Sequence, residues 1–596
     1  MKKVELIVIG LDGAVNSYIA EKAAAGVLPN FAKLMKRGSF LKDLRPPHPP
    51  FTPVCCSAFM TGATPELNGN ISDLLHKKNS PLSQTVSSYH GDHLKAERFW
   101  ESAAKAGKKV LVDSLPVSAP VRDHSIWQLE GTSCNPGRMV LPDGTNEYTD
   151  IPQQVWLFDR NNIPAEKLEN CIFSSSPVEE LEKGKYKLLI NMDFPECNYR
   201  KYRDFFWELE IRENSFFLIL DDKKIPLLPE SWTNPVERKL NTCDGKFLPL
   251  TFRFSLRKLE KGVLIFASAA CYIKDRVFPE KFAGIFDNMP PTPVHKEYIF
   301  FHDPFLHPLC IDSWCFHNEW HKEMFRRALK EENFNILVTY MGDIDTVNHL
   351  AWSEYVKAKE CSKEKYERIE KYVEEIYKAA DDYLGFFLDE VASDETLFLI
   401  LSDHGSIGVK QEKSIYTALH QGGLLEFSDK EKGIVDWKRT KVAPRGCGHI
   451  FVNLAGREKD GIVPPEMYEK TVDEIITALQ DHCRNEDGSS YLAFAVRKEE
   501  AGFFGLGGED CGDVVYGLSA GDHASTVHAE QIPTAKNAFG SMRSLGLLAG
   551  KNVKKDFILE KGVFLTDLAP TLCHLLHIPP PAQSNGRVLR EILEEE

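Results

Sequence analysis

Acidic and imidazole side chains follow three separate apolar segments of this sequence. The segments begin near residues 4, 335 and 396, and they end at Asp12, at Asp345 with His349, and at Asp403 with His404. Runs of this composition predict buried strands, and the carboxyl ends of parallel strands meet along one edge of a sheet. Carboxylates and imidazoles held together there are costly unless a cation lies between them. The sequence therefore predicts a metal centre with two ions.

Thr52 stands at a predicted helix start between the first two of these segments. Thr52 is suited to the N-cap and Pro53 to the first helical position. Free amide groups at a helix N-terminus can bind a phosphate group. A threonine hydroxyl becomes an effective nucleophile when coordination to a divalent ion lowers its pKa. From the residues alone, Thr52 is either a helix cap or a nucleophile.

The elements that must position these residues alternate between strand and helix. This alternation predicts an α/β fold in which a mostly parallel central sheet is flanked by helices. Short β-prone runs separated by turn residues interrupt it and predict an inserted β-rich domain. A helical region rich in charged residues of both signs is predicted from about 353 to 391. We therefore divide the chain into the first part of the core, the insert and the second part of the core, which are residues 1–150, 151–296 and 297–596.

The composition limits the partners that can be expected. The chain has 72 Lys and Arg against 87 Asp and Glu, a net charge of −15, which argues against nucleic acid and anionic membranes as partners. No apolar run is long enough to predict a membrane-spanning helix. Glu5 interrupts the first apolar run, and cleavage after it would remove Asp12, so a signal peptide is not expected. The 14 cysteines show no paired spacing, which favours reduced thiols and a cytoplasmic location.

The order and spacing of the motifs resemble the alkaline phosphatase superfamily, and within it the type I phosphodiesterase/nucleotide pyrophosphatase enzymes and related phosphohydrolases. The likeness spans 1–150 and 297–596 and is much weaker in the insert. Each motif alone is common, so the resemblance depends on their shared order. The residues that carry it are Gly10–Gly13, Thr52 with Thr61 and Gly62, Asp345–His349 with Trp352, Ser402–Gly405, Phe451–Glu458 and Thr566–Thr571.

The resemblance implies an alkaline-phosphatase-like core and two sets of metal ligands. Nitrogen and oxygen ligands without a thiolate suit zinc, with manganese as the alternative. The last ligand would be a late histidine, for which we favour His528 over His523. The first ion would be held by Asp12, Thr52, Asp403 and His404, and the second by Asp345, His349 and His528.

The resemblance also implies the reaction, which is metal-dependent hydrolysis of a phosphoric ester. Two ions roughly 4 Å apart would clamp the attacking and leaving oxygens. Thr52 would attack phosphorus in line and form a phospho-threonine intermediate that water then hydrolyses. The expected partner is a small phosphorylated substrate, and neither nucleic acid nor a membrane is expected.

Other functions are compatible with the same ligands. A phosphomutase or a phosphonate hydrolase could use them, although the related mutases are expected to have serine in place of Thr52. A sulfatase would need proline and arginine after its nucleophile, which Cys55 and Cys56 lack. A catalytically silent metal-binding recognition protein is the non-enzymatic alternative. Asn68 and Gly69 stand where the family often has histidine and glycine, so substrate specificity does not transfer from relatives.

Overall fold

The computed structural model of this 596-residue chain forms two compact units. The first unit contains Met1–Cys134, Val140–Thr145 and Asn333–Glu596, and the second contains Asn135–Met139 and Asn146–Glu332. The structure describes residues 4–594 apart from 78, 132–137, 141–145, 149, 152, 169–173, 191–197, 200–201, 203–204, 244, 288, 290–292, 295–306, 409–410, 413, 520–521 and 524–541.

A twisted central sheet organises the first unit. Its strands lie in the spatial order β4-β3-β5-β1-β6-β7-β2-β8. In chain order the strands are β1 (Leu6–Leu11), β2 (Gly38–Leu41), β3 (Val110–Asp113), β4 (Trp127–Leu129), β5 (Ile336–Met341), β6 (Leu397–Leu401), β7 (Gly546–Ala549) and β8 (Phe557–Leu559).

The middle of this sheet is parallel and buried on both faces. Strand β1 pairs in parallel with β5 on one side and with β6 on the other. Only β7 runs antiparallel, against β6 and β2. All residues of β1, β5 and β6 are buried, which is why these strands are continuous apolar runs rather than alternating ones. The predicted α/β fold with a mostly parallel central sheet is therefore confirmed.

Helices connect these strands and carry several site residues. The region predicted as helical from about 353 to 391 lies in α7, in α8 and in a final π-helical turn at Phe387–Val391. The helices are α1 (Asn16–Ala24), α2 (Pro29–Lys36), α3 (Thr52–Thr61), α4 (Pro65–Asn68), α5 (Phe99–Lys105), α6 (His307–Glu331), α7 (Asp343–Cys361), α8 (Lys363–Phe386), α9 (Ile415–Gln421), α10 (Tyr468–His482) and α11 (Leu568–Leu575).

The motif Phe451–Glu458, one of those that carry the family resemblance, begins in a strand of a smaller sheet of the first unit. The sheet contains Val442–Pro444, His449–Val452, Val514–Leu518 and Leu492–Arg497. Arg457 at its edge donates from both terminal nitrogens to the Asp513 carboxylate at 2.7 Å, and Asp513 also accepts the Val452 amide. These contacts indicate that the motif Phe451–Glu458 has a structural role, which is to stabilise this sheet.

The second unit is built from antiparallel sheets around an aromatic core. Trp207 packs edge-on against Phe252 and Phe254 at 5.0 and 4.9 Å. One five-stranded sheet contains Gln154–Asp159, Gly262–Ala267 and Phe254–Leu259, and the other contains Lys185–Leu189, Phe206–Arg212 and Ser215–Leu220.

This unit is larger than the predicted insert, because it includes α6. Asp312 on α6 accepts hydrogen bonds from Trp232 at 2.8 Å and from Arg257 at 3.3 Å, and both partners lie in the β-rich part. The predicted boundary at 296 therefore lies before a helix that packs with the β-rich part.

No helix within the described part of the chain combines the length and the apolar composition needed to cross a membrane.

Candidate metal centre

The carboxyl ends of β1 and β6 bring three candidate ligands together. Gly10 lies opposite Leu401 in these parallel neighbours, so the residues that follow them leave the sheet at the same edge. Asp12, Asp403 and His404 are 3%, 1% and 0% exposed. One oxygen or ring nitrogen from each of the three lies within 4.8 Å of the others.

Thr52 lies beside this cluster at the start of α3. It is the first helical residue, whereas Phe51 has the extended backbone of the N-cap, with φ −109° and ψ 145°. The prediction that Thr52 itself is the cap is therefore wrong. The Thr52 hydroxyl lies 3.5 Å from Oδ1 of Asp12 and 3.4 Å from Nε2 of His404. Because the Thr52 side chain does not cap the helix, its hydroxyl is able to face the cluster.

The tautomer of His404 favours a cation in this cluster. Its Nδ1–H donates to the Gly405 carbonyl at 2.9 Å, so Nε2 is the ring nitrogen that faces the cluster. Nε2 lies 3.3 Å from Oδ2 of Asp403 and 3.6 Å from Oδ1 of Asp12. Oδ2 of Asp403 accepts no hydrogen bond from the described residues. Two carboxylates and an imidazole nitrogen held this close together are donor types that a divalent ion binds, so this donor set fits such an ion.

The electrostatics of Asp12 agree with this interpretation. Burial raises the pKa of Asp12 well above its usual range, and the nearby carboxylates of Asp403 and Asp345 raise it further. A positive ion would reverse both effects by stabilising the ionised form. Without positive charge between them, these acidic groups oppose each other's ionisation.

Asp345 and His349 form a second group on the first turns of α7. Their side chains lie 3.1 Å apart, one helical turn from each other. Burial lowers the pKa of His349, but the charge of Asp345 and its hydrogen bond raise it by more, so the net pKa is raised. A Cβ built on Gly13 would lie 2.7 Å from Oδ1 of Asp345. The second group therefore borders the turn that follows Asp12.

The contacts of the described residues do not identify the late histidine that was predicted as the last metal ligand. His528 lies outside the described residues. His523 belongs to the short strand Asp522–His523, which pairs in parallel with Gln411–Glu412. The choice between the two histidines stays a prediction.

Hydrogen bonds fix the turns that carry the candidate ligands. The Asn348 amide donates to the Gly13 carbonyl at 2.9 Å and to the Ser406 hydroxyl at 2.8 Å. Ser406 donates in turn to the same Gly13 carbonyl at 2.8 Å. The Gly13 amide donates to Oδ1 of Asp403 at 3.1 Å. This network connects the turn after Asp12 with the turn after His404.

Tyr340 is a site neighbour that the sequence analysis missed. It lies in β5 and is 2% exposed. Burial raises its pKa, and the nearby charges of Asp12 and Asp403 raise it further, so the phenol belongs to the surroundings of the centre. The available signal was a tyrosine, next to Thr339, near the end of an otherwise apolar strand and five residues before Asp345.

Other residues of the family-like motifs are structural. The Thr61 hydroxyl donates to the Ser57 carbonyl at 2.6 Å, at the opposite end of α3 from Thr52. Asp567 accepts the amides of Phe564 and Arg587 at 3.0 and 2.9 Å. Trp352 packs edge-on against Tyr18 at 5.9 Å.

The sequence was compared with known families. The model of the family described as type I phosphodiesterase/nucleotide pyrophosphatase matches residues 6–173 and 278–532. The chain belongs to this family. Membership places it among phosphoester hydrolases of the alkaline phosphatase superfamily, as the motifs predicted. No curated protein sequence matches the chain.

One solved structure agrees with the fold of this phosphodiesterase family member. The crystal structure of wild-type alkaline phosphatase PafA is 12% identical, and the match covers 100% of this chain and 99% of that chain with a TM-score of 0.50. At this identity the likeness shows the fold alone. Human ectonucleotide pyrophosphatase/phosphodiesterase 5 is 13% identical, with 99% and 100% coverage and a TM-score of 0.45. An inactive murine form of that protein, in complex with AMP, gives the same identity, coverage and TM-score.

Proposed function

We propose that the protein is a two-metal phosphodiesterase that acts on a small phosphorylated substrate through a phospho-threonine intermediate. The observation that carries the proposal is the position of the Thr52 hydroxyl, within 3.5 Å of both Asp12 and His404. A hydroxyl with only a structural role in α3 has no reason to face a buried carboxylate and an imidazole nitrogen. A nucleophile that shares a divalent ion with them does.

Each residue has a distinct role in this proposal. When bound, zinc or manganese would lower the pKa of a coordinated hydroxyl and neutralise charge on the phosphoryl group. Thr52 would form the new oxygen–phosphorus bond while the bond to the leaving alcohol breaks. Water would then hydrolyse the phospho-threonine and restore the hydroxyl. One ion would be held by Asp12, Thr52, Asp403 and His404, and the other by Asp345, His349 and His528.

The decisive experiment compares two threonines of the same helix. We expect Thr52→Ala to lower turnover of a nitrophenyl phosphodiester by about three orders of magnitude or more, with the variant still folded. Thr61→Ala is the matched control, because the Thr61 hydroxyl donates to the Ser57 carbonyl and accepts the Ala63 amide at the far end of α3 from Thr52. Near-normal turnover in Thr52→Ala would refute the nucleophile.

The same assay separates the alternative functions. Metal analysis of the purified protein is combined with phosphodiester, phosphomonoester and phosphonate substrates. Preferential diester cleavage with bound metal supports the proposal. Bound metal in stoichiometric amount without turnover of any ester favours a recognition protein instead. The buried set of charged groups favours an enzyme, because a recognition role gives no reason to keep it.

A further inference from the structure

A cleft lies in the first unit. This cleft has a volume of about 580 Å³ and is lined by none of the described candidate ligands. A cavity of about 150 Å³ can hold benzene, so the cleft has room for an aromatic side chain and its neighbours. Its apolar lining includes Pro46, Pro47, Phe504, Met542 and Phe564.

Phe503 projects from the rim of this cleft. It is 91% exposed, although the adjacent Phe504 stacks inward on Phe494 at 4.5 Å. Phe564, on another wall, is 52% exposed, and Leu67, on the helix that supplies Pro65 to the lining, is 44% exposed. A scattered exposed apolar residue is normal, whereas exposed rings around an apolar cleft mark a docking surface.

This surface carries excess positive charge at one place and excess negative charge at another. The guanidinium groups of Arg45 and Arg543 both approach the single carboxylate of Asp43, at 2.6 and 3.9 Å. The segment that leads into Phe503 carries Lys498 and the exposed Glu499 and Glu500, while the preceding Arg497 forms ion pairs with Glu469 and Asp473. Arg45 lines the cleft and Arg543 follows the lining residue Met542, so an edge with excess positive charge lies on the same unit as a projection with excess negative charge. Asp567 also lines the cleft, but its carboxylate accepts two backbone amides.

We propose that the protein forms a two-fold dimer in which Phe503 of each copy inserts into the cleft of the other. A two-fold interface uses the same patch twice, and a projection beside its own complementary cleft meets this requirement. Glu499 and Glu500 of one copy then face Arg45 and Arg543 of its partner, which fixes the orientation. The inference does not depend on the proposed catalytic function.

Sedimentation of the full chain at increasing concentration tests the dimer. We expect the wild-type protein to dimerise and Phe503→Ser to dimerise at least about 30-fold more weakly, which corresponds to a hot spot of about 2 kcal/mol. Phe247→Ser is the matched control, since Phe247 is 69% exposed but lies in the second unit. A wild-type protein that stays monomeric, or a Phe503→Ser variant that dimerises normally, overturns the proposal.

A photo-crosslinking experiment locates the contact independently. A benzoylphenylalanine replaces Phe503, and light and heavy isotope-labelled copies are mixed before irradiation. Crosslinks between copies to residues 45–47 or 564–567 support the proposal. Crosslinks confined to single chains, or a small apolar ligand retained by monomers in native mass spectra, overturn it.

Discussion

Gly10 and Tyr340 lie opposite each other on the adjacent parallel strands β1 and β5, and the phenol ring covers the glycine. A Cβ at Gly10 would lie 2.2 Å from Cδ2 and 2.8 Å from Cε2 of that ring. The absence of a side chain at Gly10 therefore lets a large aromatic residue pack beside Asp12. The glycine two residues before a candidate ligand is a packing requirement.

Gly10→Ala should consequently destabilise the first unit. The ring of Tyr340 must move away from the added methyl group, and overpacking of this kind costs about 1–3 kcal/mol. Urea titrations of the two proteins measure the loss. Gly284→Ala is the control, because a Cβ there meets nothing within 4 Å. Equal midpoints for Gly10→Ala and wild type would show that the strand adjusts without strain.

Asn348→Ala should weaken metal binding without removing a ligand. Its amide connects Gly13 and Ser406, so its loss releases the turns that orient Asp12 and His404. Loss of such an orienting group typically lowers metal affinity about 10–100-fold. Competition with a chromogenic chelator measures the affinity.

A distant asparagine provides the control for that experiment. The Asn30 amide donates to the backbone carbonyl and the carboxylate of Asp381 at 3.1 and 3.0 Å. Asn30→Ala removes comparable hydrogen bonds and should leave metal affinity unchanged. Equal affinities for Asn348→Ala and Asn30→Ala would contradict an orienting role.

Asp403→Asn should abolish stabilisation by metal. The carboxylate lies 3.3 Å from Nε2 of His404, and its charge contributes to the raised pKa of Asp12. Added zinc should raise the melting temperature of the chelator-treated wild type, because a ligand that binds only the native state stabilises it. Asp381→Asn, at a carboxylate that accepts the Phe31 amide, should keep that response. A full zinc response in Asp403→Asn would exclude Asp403 from the site.

The central strands and the turns that carry the candidate ligands could be predicted, because each is marked by a local pattern in the sequence. Apolar runs such as Leu397–Leu401 are long enough to identify, and a carboxylate directly after them marks the sheet edge. The parallel pairing of β1 with β5 and β6 then brings distant residues together without further information. Fold class and the grouping of Asp12 with Asp403 were therefore accessible.

Features that depend on which segments become neighbours could not be predicted. The covering of Gly10 by Tyr340 follows from strand order, and the connection of Asn348 to Gly13 follows from the packing of α7 on that edge. The extension of the second unit beyond residue 296 has the same origin, since the contacts of Asp312 on α6 are tertiary. Sequence signals locate the start of a helix only to within about one residue. Thr52 was therefore predicted as the N-cap, whereas the N-cap in the structure is Phe51.

His449 should make stability depend on pH. It is buried, its Nε2–H donates to the Ile71 carbonyl at 3.0 Å, and its Nδ1 accepts the Gly512 amide at 3.3 Å. Burial lowers its pKa from 6.5 to about 4. The unfolded chain therefore takes up a proton first on acidification. The contribution is fully present above pH 6.5 and is lost as the pH falls towards 4, at about 1.4 kcal/mol per pH unit.

His449→Gln tests this dependence, because glutamine can donate to Ile71 without titrating. Between about pH 7 and about pH 5, the free energy of unfolding of the wild type should fall by about 2 kcal/mol more than that of the variant. Urea titrations at the two pH values measure the difference. His574→Gln, at an exposed position of the first unit, should follow the wild type. Parallel pH profiles for wild type and His449→Gln would mean that the buried imidazole is already protonated in the native state, and the tautomer assigned by its contacts with Ile71 and Gly512 would then be wrong.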